Sequence, residues 1–159
     1  MKVLNVHSRV IECQKSQIDQ LLETLTSQED KVWPSEQWPK MFFKDGFKLG
    51  SKGGHGPIRY TITQIKKGEL LEFKFTSPQG FDGHHRFEMS IQNENQQKLK
   101  HTIDMNTRGL ASLKWLIVIR PLHDALIEDL LDKIETQLTD NNKKSQWSLW
   151  VRFLRMILR

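Results

Sequence analysis

The side chains best able to do chemistry near neutral pH are six histidines, one tyrosine and one cysteine: His7, His55, His84, His85, His101, His123, Tyr60 and Cys13. Imidazole titrates near neutrality and is the commonest metal ligand, so a metal centre and general acid–base catalysis are the two chemistries to weigh. His84 and His85 are neighbours in an alternating stretch and must point to opposite faces of a strand. His123 and Asp124 are also adjacent, and on a helix they project about 100° apart. Asp124, Glu128 and Asp132 recur every four residues and read as a solvated helical stripe. Cys13 has no activating neighbour in the sequence, and a single cysteine can form neither an internal disulfide nor a cysteine-based zinc motif. No G-x-S-x-G elbow is present. The run Gly50-Ser51-Lys52-Gly53-Gly54-His55-Gly56 lacks the Gly-Lys-Ser/Thr ending of a phosphate loop, and it leads into a strand rather than a helix. A bent strand or a mobile cavity rim is the expectation there. Arg59 and Arg108 read as surface charges. The histidines are expected to be structural or cavity-lining, with no metal and no cofactor; a metal site using both His55 and His123 is the alternative left open, since the sequence does not place them. His85, His101 and Tyr60 are the candidates by chemistry for a general acid or base.

These groups must be positioned by strands and one long helix. Residues 4–13 alternate as a strand with Leu4, Val6 and Val10 on one face. Ser16-Gln17-Ile18-Asp19 resembles a capping box opening a helix that presents Ile18, Leu21, Leu22 and Leu25. The Trp33-Pro34 and Trp38-Pro39 pairs predict short, broken structure, because proline disfavours helix at the residue before it. From about residue 41 the period changes to two, through 57–65, 70–76, 84–92 and 98–106, with Tyr60 and Ile62 on one face of their strand and Phe73 and Phe75 on one face of theirs. Centring the last hairpin on Asn95 pairs Ile91 with Leu99, Met89 with His101, Phe87 with Ile103 and His85 with Met105. That register puts the apolar residues on one face and Arg86, Glu88, Lys100 and Asp104 on the other. It also separates His85 from His101 by about 13 Å, too far to share one ion. A sheet with one dry face needs a cover. Residues 110–138 supply it, as a helix of about 40 Å carrying Leu116, Ile119, Leu122, Leu126, Leu130 and Ile134. Pro121 should kink it. In a competing reading 113–119 is a strand and the helix begins at Pro121.

With this order of elements and the segments GGHGPIRYTI (53–62), SPQGFDGHHRF (77–87) and PLHDALIEDLLDKIE (121–135), the chain resembles the SRPBCC superfamily over about residues 3–138. That superfamily includes the START-like, Bet v 1-like and polyketide cyclase/dehydrase-like proteins. The likeness is greatest to a bacterial subgroup sharing the GGHGPIRY and PLHDAL segments, which name no reaction. The resemblance implies an α+β helix-grip fold. Two short helices follow the first strand, and a curved antiparallel sheet of six to seven strands wraps around a long C-terminal helix. It also implies a cavity between sheet and helix that carries a hydrophobe such as a lipid or polyketide. It carries over no catalytic residue, since the superfamily shares no single catalytic motif.

Charge divides the chain in two. Of its 24 cations, Lys143, Lys144, Arg152, Arg155 and Arg159 lie beyond Asp140, where there are no acids, so 19 cations match 19 acids in residues 1–140. The body is formally neutral and the whole excess of +5 belongs to the tail. Within 141–159, Trp147, Trp150, Val151, Leu154, Ile157 and Leu158 follow helical spacing beside the arginines, as in a basic amphipathic helix. It could dock on the domain or across a dimer, lie on an anionic membrane, or bind another macromolecule. Nucleic acid is disfavoured because the body offers no basic face. The N-terminus lacks a signal-like apolar region, and the longest apolar run, Trp115 to Ile119, is too short to span a bilayer.

The expectations are therefore a ligand-binding domain (1–140) and a basic amphipathic tail helix (141–159), cytoplasmic, with a peripheral position at the inner membrane surface as the alternative. The expected cavity residues are Tyr60, Ile62, Phe73, Phe75, His85, Phe87, Met89, His101, Ile103, Met105, Ile119 and Leu126. The expected tail contacts are Trp147, Trp150, Arg152, Leu154, Arg155 and Leu158. The function classes are binding or transport of a hydrophobic small molecule, a cyclase or dehydratase using the same cavity, and a membrane-recruited interaction domain.

Overall fold

A computed structural model describes residues 1–142 and 144–158. Lys143 and Arg159, two of the expected tail cations, lie outside the described residues. Seven antiparallel strands form one sheet: β1 (Lys2–Glu12), β2 (Phe42–Phe43), β3 (Lys52–His55), β4 (Ile58–Lys66), β5 (Leu70–Ser77), β6 (Phe81–Asn93) and β7 (Gln96–Thr107). Their order is β1-β7-β6-β5-β4-β3-β2. Helix α1 (Lys15–Leu22) follows β1. It starts one residue before Ser16, and the cap is Gln14, whose N–H donates to Gln17 Oε1 at 2.9 Å. Ile18, Leu21 and Leu25 are buried as the spacing requires. In place of the second short helix expected before β2 there is a single turn, in which Trp38 N donates to Pro34 O at 3.0 Å.

The β6–β7 hairpin keeps its faces but not its expected register. Met89 pairs with Leu99, Phe87 with His101 and His85 with Ile103, two residues from the pairing centred on Asn95. The turn is tighter than the sequence suggests: Asn93 Oδ1 accepts from Asn95 N at 3.0 Å, and an irregularity between Ile91 and Asn93 absorbs a residue. A slip of two preserves the side-chain faces. It nevertheless brings His85 beside His101, because a residue and the diagonal neighbour of its cross-strand partner lie within reach.

The face of β1 is the reverse of the expected one. Leu4, Val6 and Val10 are exposed, while Val3 and Ile11 are buried at the ends of the inward face. Asn5, His7 and Arg9 occupy the middle of that face. They meet the acidic stripe of the long helix, which is therefore not simply solvated. Asn5 Nδ2 donates to Asp124 at 2.9 Å, and Arg9 donates to Glu128 at 2.9 Å, Asp132 at 3.0 Å and Glu135 at 2.5 Å. Directional ion pairs, rather than the apolar alternation, fix which way β1 faces.

The cover is helical from Leu110 to Leu138, in three parts: α2 (Leu110–Lys114), a π-helical turn (Trp115–Ile119) and α3 (Arg120–Leu138). The strand reading of 113–119 is thereby set aside. Pro121 lacks an N–H and its ring would crowd the preceding turn, and the wide turn just before it accommodates both defects. The extra residue resets the helical phase. Trp115 is buried and Leu116 exposed, so the expected inward stripe is corrected at its first member, while Leu126, Leu130 and Ile134 are buried as expected. No helix among the described residues is long and apolar enough to cross a membrane.

The tail forms α4 (Leu149–Ile157), capped by Ser148, whose hydroxyl oxygen accepts from Val151 N at 3.2 Å. It docks on the body. Trp147 Nε1 and Trp38 Nε1 both donate to Asp129 Oδ2, at 2.9 and 2.7 Å. Val151 and Leu154 are buried, Ser145 N donates to Asp132, and Arg155 donates to Gln37 O. The Arg155 guanidinium also lies 4.7 Å above the Trp38 ring.

Candidate functional site

A pocket of about 270 Å³ lies between the concave face of the sheet and the long helix. Seven of the expected cavity residues line it: Phe75, His85, Phe87, His101, Ile103, Ile119 and Leu126. Tyr60, Ile62, Phe73 and Met105 do not. They are almost wholly buried in the core, because β4 and β5 curve and their ring-to-ring packing closes the space. Met89 lines a second pocket of about 300 Å³ with Leu99, Leu130 and Ile134, at the other end of the sheet. The principal pocket also takes walls the sequence reading did not assign: Trp33, Trp38 and Met41 from the segment before β2, His55 and Ile58 beside the glycine run, Phe81, and Trp115, Val118, Leu122 and His123 from the long helix. The two Trp-Pro pairs were the available signal. Tryptophan this dense in broken structure is buried against something. Arg155 and Leu158 of the tail complete the wall, while Arg152 is exposed.

Five of the six histidines and the tyrosine form one continuous file across this site. His7 on β1 packs edge-on against His123 of α3, with ring centroids 5.9 Å apart. His123 lies 5.0 Å from His101, and His101 Nε2 approaches His85 Nδ1 at 3.4 Å. His85 is 4.7 Å from Tyr60, whose hydroxyl meets His55 Nδ1 at 3.1 Å. The separation of about 13 Å expected from the hairpin register is thus corrected to direct nitrogen–nitrogen contact. His84 stands apart on the outer face, 3.5 Å from Glu72.

The two ends of the file differ electrically. Both ring nitrogens of His7 face carboxylate oxygens, Nδ1 with Glu128 at 2.7 Å and Nε2 with Asp124 at 3.1 Å. Burial would lower its pKa, but these two carboxylates outweigh burial and raise it. In return, contacts with His123, His7 and Asn5 hold the Asp124 carboxyl well below its usual range despite burial. Further in, desolvation dominates. It lowers the pKa of His55 to about 3, lowers His85 and His101 well below the usual imidazole value, and lowers His123. Neighbouring imidazoles reinforce the effect in His55, His85 and His101. These rings are neutral at pH 7, and burial pushes the Tyr60 phenol up, so it is protonated. Among the described residues, His85 Nε2 and His101 Nδ1 are buried without a hydrogen-bond partner, while His123 Nδ1 lies 3.6 Å from Asp124. A neutral imidazole with a spare nitrogen can accept a proton or hold a polar group.

Ligand atoms of His7, His123 and Asp124 lie within 4.8 Å of one another and are the trio geometrically able to hold a metal ion among the described residues. A doubly protonated His7 ring between Asp124 and Glu128 satisfies the same contacts without one.

No family model matches the chain. No curated protein sequence matches it either. Solved structures do. A protein from Thermobifida fusca superposes with a TM-score of 0.67 at 9% identity, over 91% of this chain and 99% of that one. Norcoclaurine synthase from Thalictrum flavum, in complex with dopamine and hydroxybenzaldehyde, gives 0.64 at 10% identity, over 91% and 90%. A START superfamily protein from Mycobacterium smegmatis gives 0.56 at 9% identity, over 85% and 96%. These likenesses establish the fold, a helix-grip α+β architecture shared with those structures.

Proposed function

We propose that this chain binds a hydrophobic small molecule in the pocket between the sheet and its long helix, with the ligand's polar end at the His85–His101 pair. The observation that carries this reading is a pocket walled by Trp33, Phe75, Phe81, Phe87, Trp115 and Ile119 whose lining includes, at one place, His85 and His101, each with a buried imidazole nitrogen that lacks a hydrogen-bond partner. Apolar walls supply affinity through burial of ligand surface, and a few convergent polar groups orient it. At about 270 Å³ the space is just below the usual range for small-molecule sites, roughly 300–1,000 Å³. A lipid-like or polyketide-like molecule with one hydroxyl, carbonyl or carboxyl group fits that chemistry. Among proteins of this fold, norcoclaurine synthase is an enzyme held with two aromatic compounds, which agrees with a pocket for a compact ligand.

The test is native mass spectrometry of the purified protein, followed by binding of a fluorescent fatty-acid probe to wild type and Ile103→Trp. Ile103 is 2% exposed in the pocket wall, and an indole there fills the space. A hydrophobe that co-purifies with wild type and is absent from Ile103→Trp is the expected result. Equal probe binding by both proteins would overturn the reading.

A second reading, a cyclase- or dehydratase-type enzyme, is favoured by one observation. His85 lines the pocket as a neutral imidazole with Nε2 unpaired, the protonation state in which a histidine can accept a proton. Turnover lost in His85→Gln with ligand affinity retained would select it over simple binding.

A further inference from the structure

Docking the tail leaves an apolar surface uncovered. On α2 and the π-turn, Leu110, Leu113, Leu116 and Ile117 are 75%, 54%, 47% and 45% exposed. They recur at i, i+3, i+6 and i+7, one side of the helix. On α4, Val151 and Leu154 face the body, and Leu149, Trp150, Phe153, Met156 and Ile157 face away, Leu149 with 82% of its surface exposed. The two stripes are joined. Trp150 Nε1 donates to Ile117 O at 2.8 Å, and the Trp150 ring stacks on Phe153 with centroids 5.4 Å apart. A contiguous exposed apolar area of this extent marks an interaction site.

Charge identifies the partner. Neither segment 105–123 nor segment 141–159 contains an aspartate or glutamate, while both carry cations: Lys114 and Arg120, the latter 3.6 Å from Asp124, and Lys144 and Arg152, which share a groove with Glu36, Asp129 and Asp132. A second copy meeting this face across a two-fold axis would bring two acid-free segments together, each carrying a net positive charge. An anionic phospholipid surface answers both properties, taking the apolar side chains into the acyl boundary and pairing the cations with headgroups. Trp150, half-exposed with its N–H already satisfied, has the amphipathic form favoured at such an interface.

We infer that α2, the π-turn and the docked α4 form one membrane-docking face, and that the protein exchanges its ligand with an anionic bilayer there. The second clause rests on the binding function proposed above. The same elements border the pocket: Trp115, Val118 and Ile119 of the turn and Arg155 and Leu158 of the tail line it. A hydrophobe leaving the acyl layer therefore meets the pocket across the width of one helix. The ligand class narrows to molecules that partition into bilayers.

The experiment uses the full chain and vesicles of equal parts phosphatidylcholine and phosphatidylglycerol, read by co-sedimentation, beside vesicles of phosphatidylcholine alone. Wild type is expected to sediment with the anionic vesicles and to be released by salt. Leu113→Asp combined with Leu149→Asp is expected to lower the partition coefficient by about tenfold or more, since each leucine side chain removed from the acyl boundary forfeits its transfer energy. Arg152→Glu, at an exposed charge with little bearing on the fold, is expected to weaken binding to anionic vesicles and leave the rest of the protein unchanged. Sedimentation that is absent in wild type, or the same in wild type and the leucine double variant, overturns the docking face. So does a dimer in light scattering that these leucine substitutions abolish while vesicles are ignored. Ile103→Trp separates the two proposals. It should lose the fatty-acid probe and keep the vesicles, whereas the leucine double variant should do the opposite. Probe binding that survives Ile103→Trp sinks the pocket reading even where vesicle binding is intact.

Discussion

Acidification should unfold this protein in a pH window set by its buried imidazoles. His55, His85 and His101 have folded pKa values below the ordinary 6.5, principally through desolvation. A histidine with a depressed folded pKa contributes stability above its unfolded value, and that contribution is lost as pH falls below it, because only the unfolded chain binds the proton. For His55, lowered to about 3, the loss between pH 7 and pH 5 is about 2 kcal/mol. His85 and His101, whose folded values also lie well below the ordinary one, lose stability in the same direction over the same interval. His123 acts in the same direction. His7 acts against it: its raised pKa contributes stability that is complete below pH 6.5 and is lost as pH rises through the folded value. The depressed carboxylates, Glu36, Glu88, Asp104 and Asp124, lose their contributions only below the unfolded carboxylate range, so they do not blur the window above pH 5. Urea denaturation at pH 7, 6 and 5, followed by tryptophan fluorescence, measures the slope. His85→Gln with His101→Gln removes two of the three groups and should make the loss between pH 7 and pH 5 clearly smaller than in wild type. An unchanged slope in that variant would show that these imidazoles carry protons in the folded protein, and the neutral-base description of the site would fall with it.

Two other substitutions probe how the site is held. Arg9→Met leaves Glu128, Asp132 and Glu135 facing one another across the β1–α3 contact and should cost about 3 kcal/mol in chemical denaturation; a loss within experimental error would mean that water already screens them. Gly53→Ala places a Cβ 2.1 Å from the carbonyl oxygen of Phe42 and 2.4 Å from the Phe43 ring, so β2 must leave β3. A fall in melting temperature with faster hydrogen exchange at the Phe42 and Phe43 amides is expected, and an unaltered exchange pattern would contradict the close approach.

The alternation of β4 to β7 and the spacing of Leu126, Leu130 and Ile134 made the sheet and its cover legible in the sequence, because burial on one face imposes a period. What the sequence concealed were features set by single local interactions. The side chain of Asn93 tightens one turn, and together with the irregularity between Ile91 and Asn93 this moves His101 from Met89 to Phe87 and into contact with His85. Leu4, Val6 and Val10 look like a core face by composition, yet Arg9 finding three carboxylates on α3 turns that face outward. The histidine file was invisible for the same reason. Its members come from β1, the glycine-run strand, β4, β6, β7 and α3, and no spacing along the chain records that they meet.

Pro121 shows how such a local detail reaches the tail. In an α-helix the carbonyl of Ile117 would accept from the N–H of residue 121, and proline has none to give. The π-turn widens the helix at that place, and Trp150 Nε1 supplies a donor to Ile117 O at 2.8 Å. The tail is thus hydrogen-bonded to a backbone defect that the proline creates. A double-mutant cycle tests the dependence. Trp150→Phe removes the donor and should cost about 1 kcal/mol beyond its lost apolar area. Pro121→Ala restores an N–H, so the same substitution in that background should cost only the apolar part. The stacking on Phe153 changes equally in both backgrounds and cancels. A coupling of about 1 kcal/mol between the two sites is expected, and additivity within about 0.3 kcal/mol would mean that Ile117 O is satisfied without the tail. The coupling also bears on membrane docking, because the hydrogen bond that relieves the proline defect is the one that joins the two halves of the exposed apolar face.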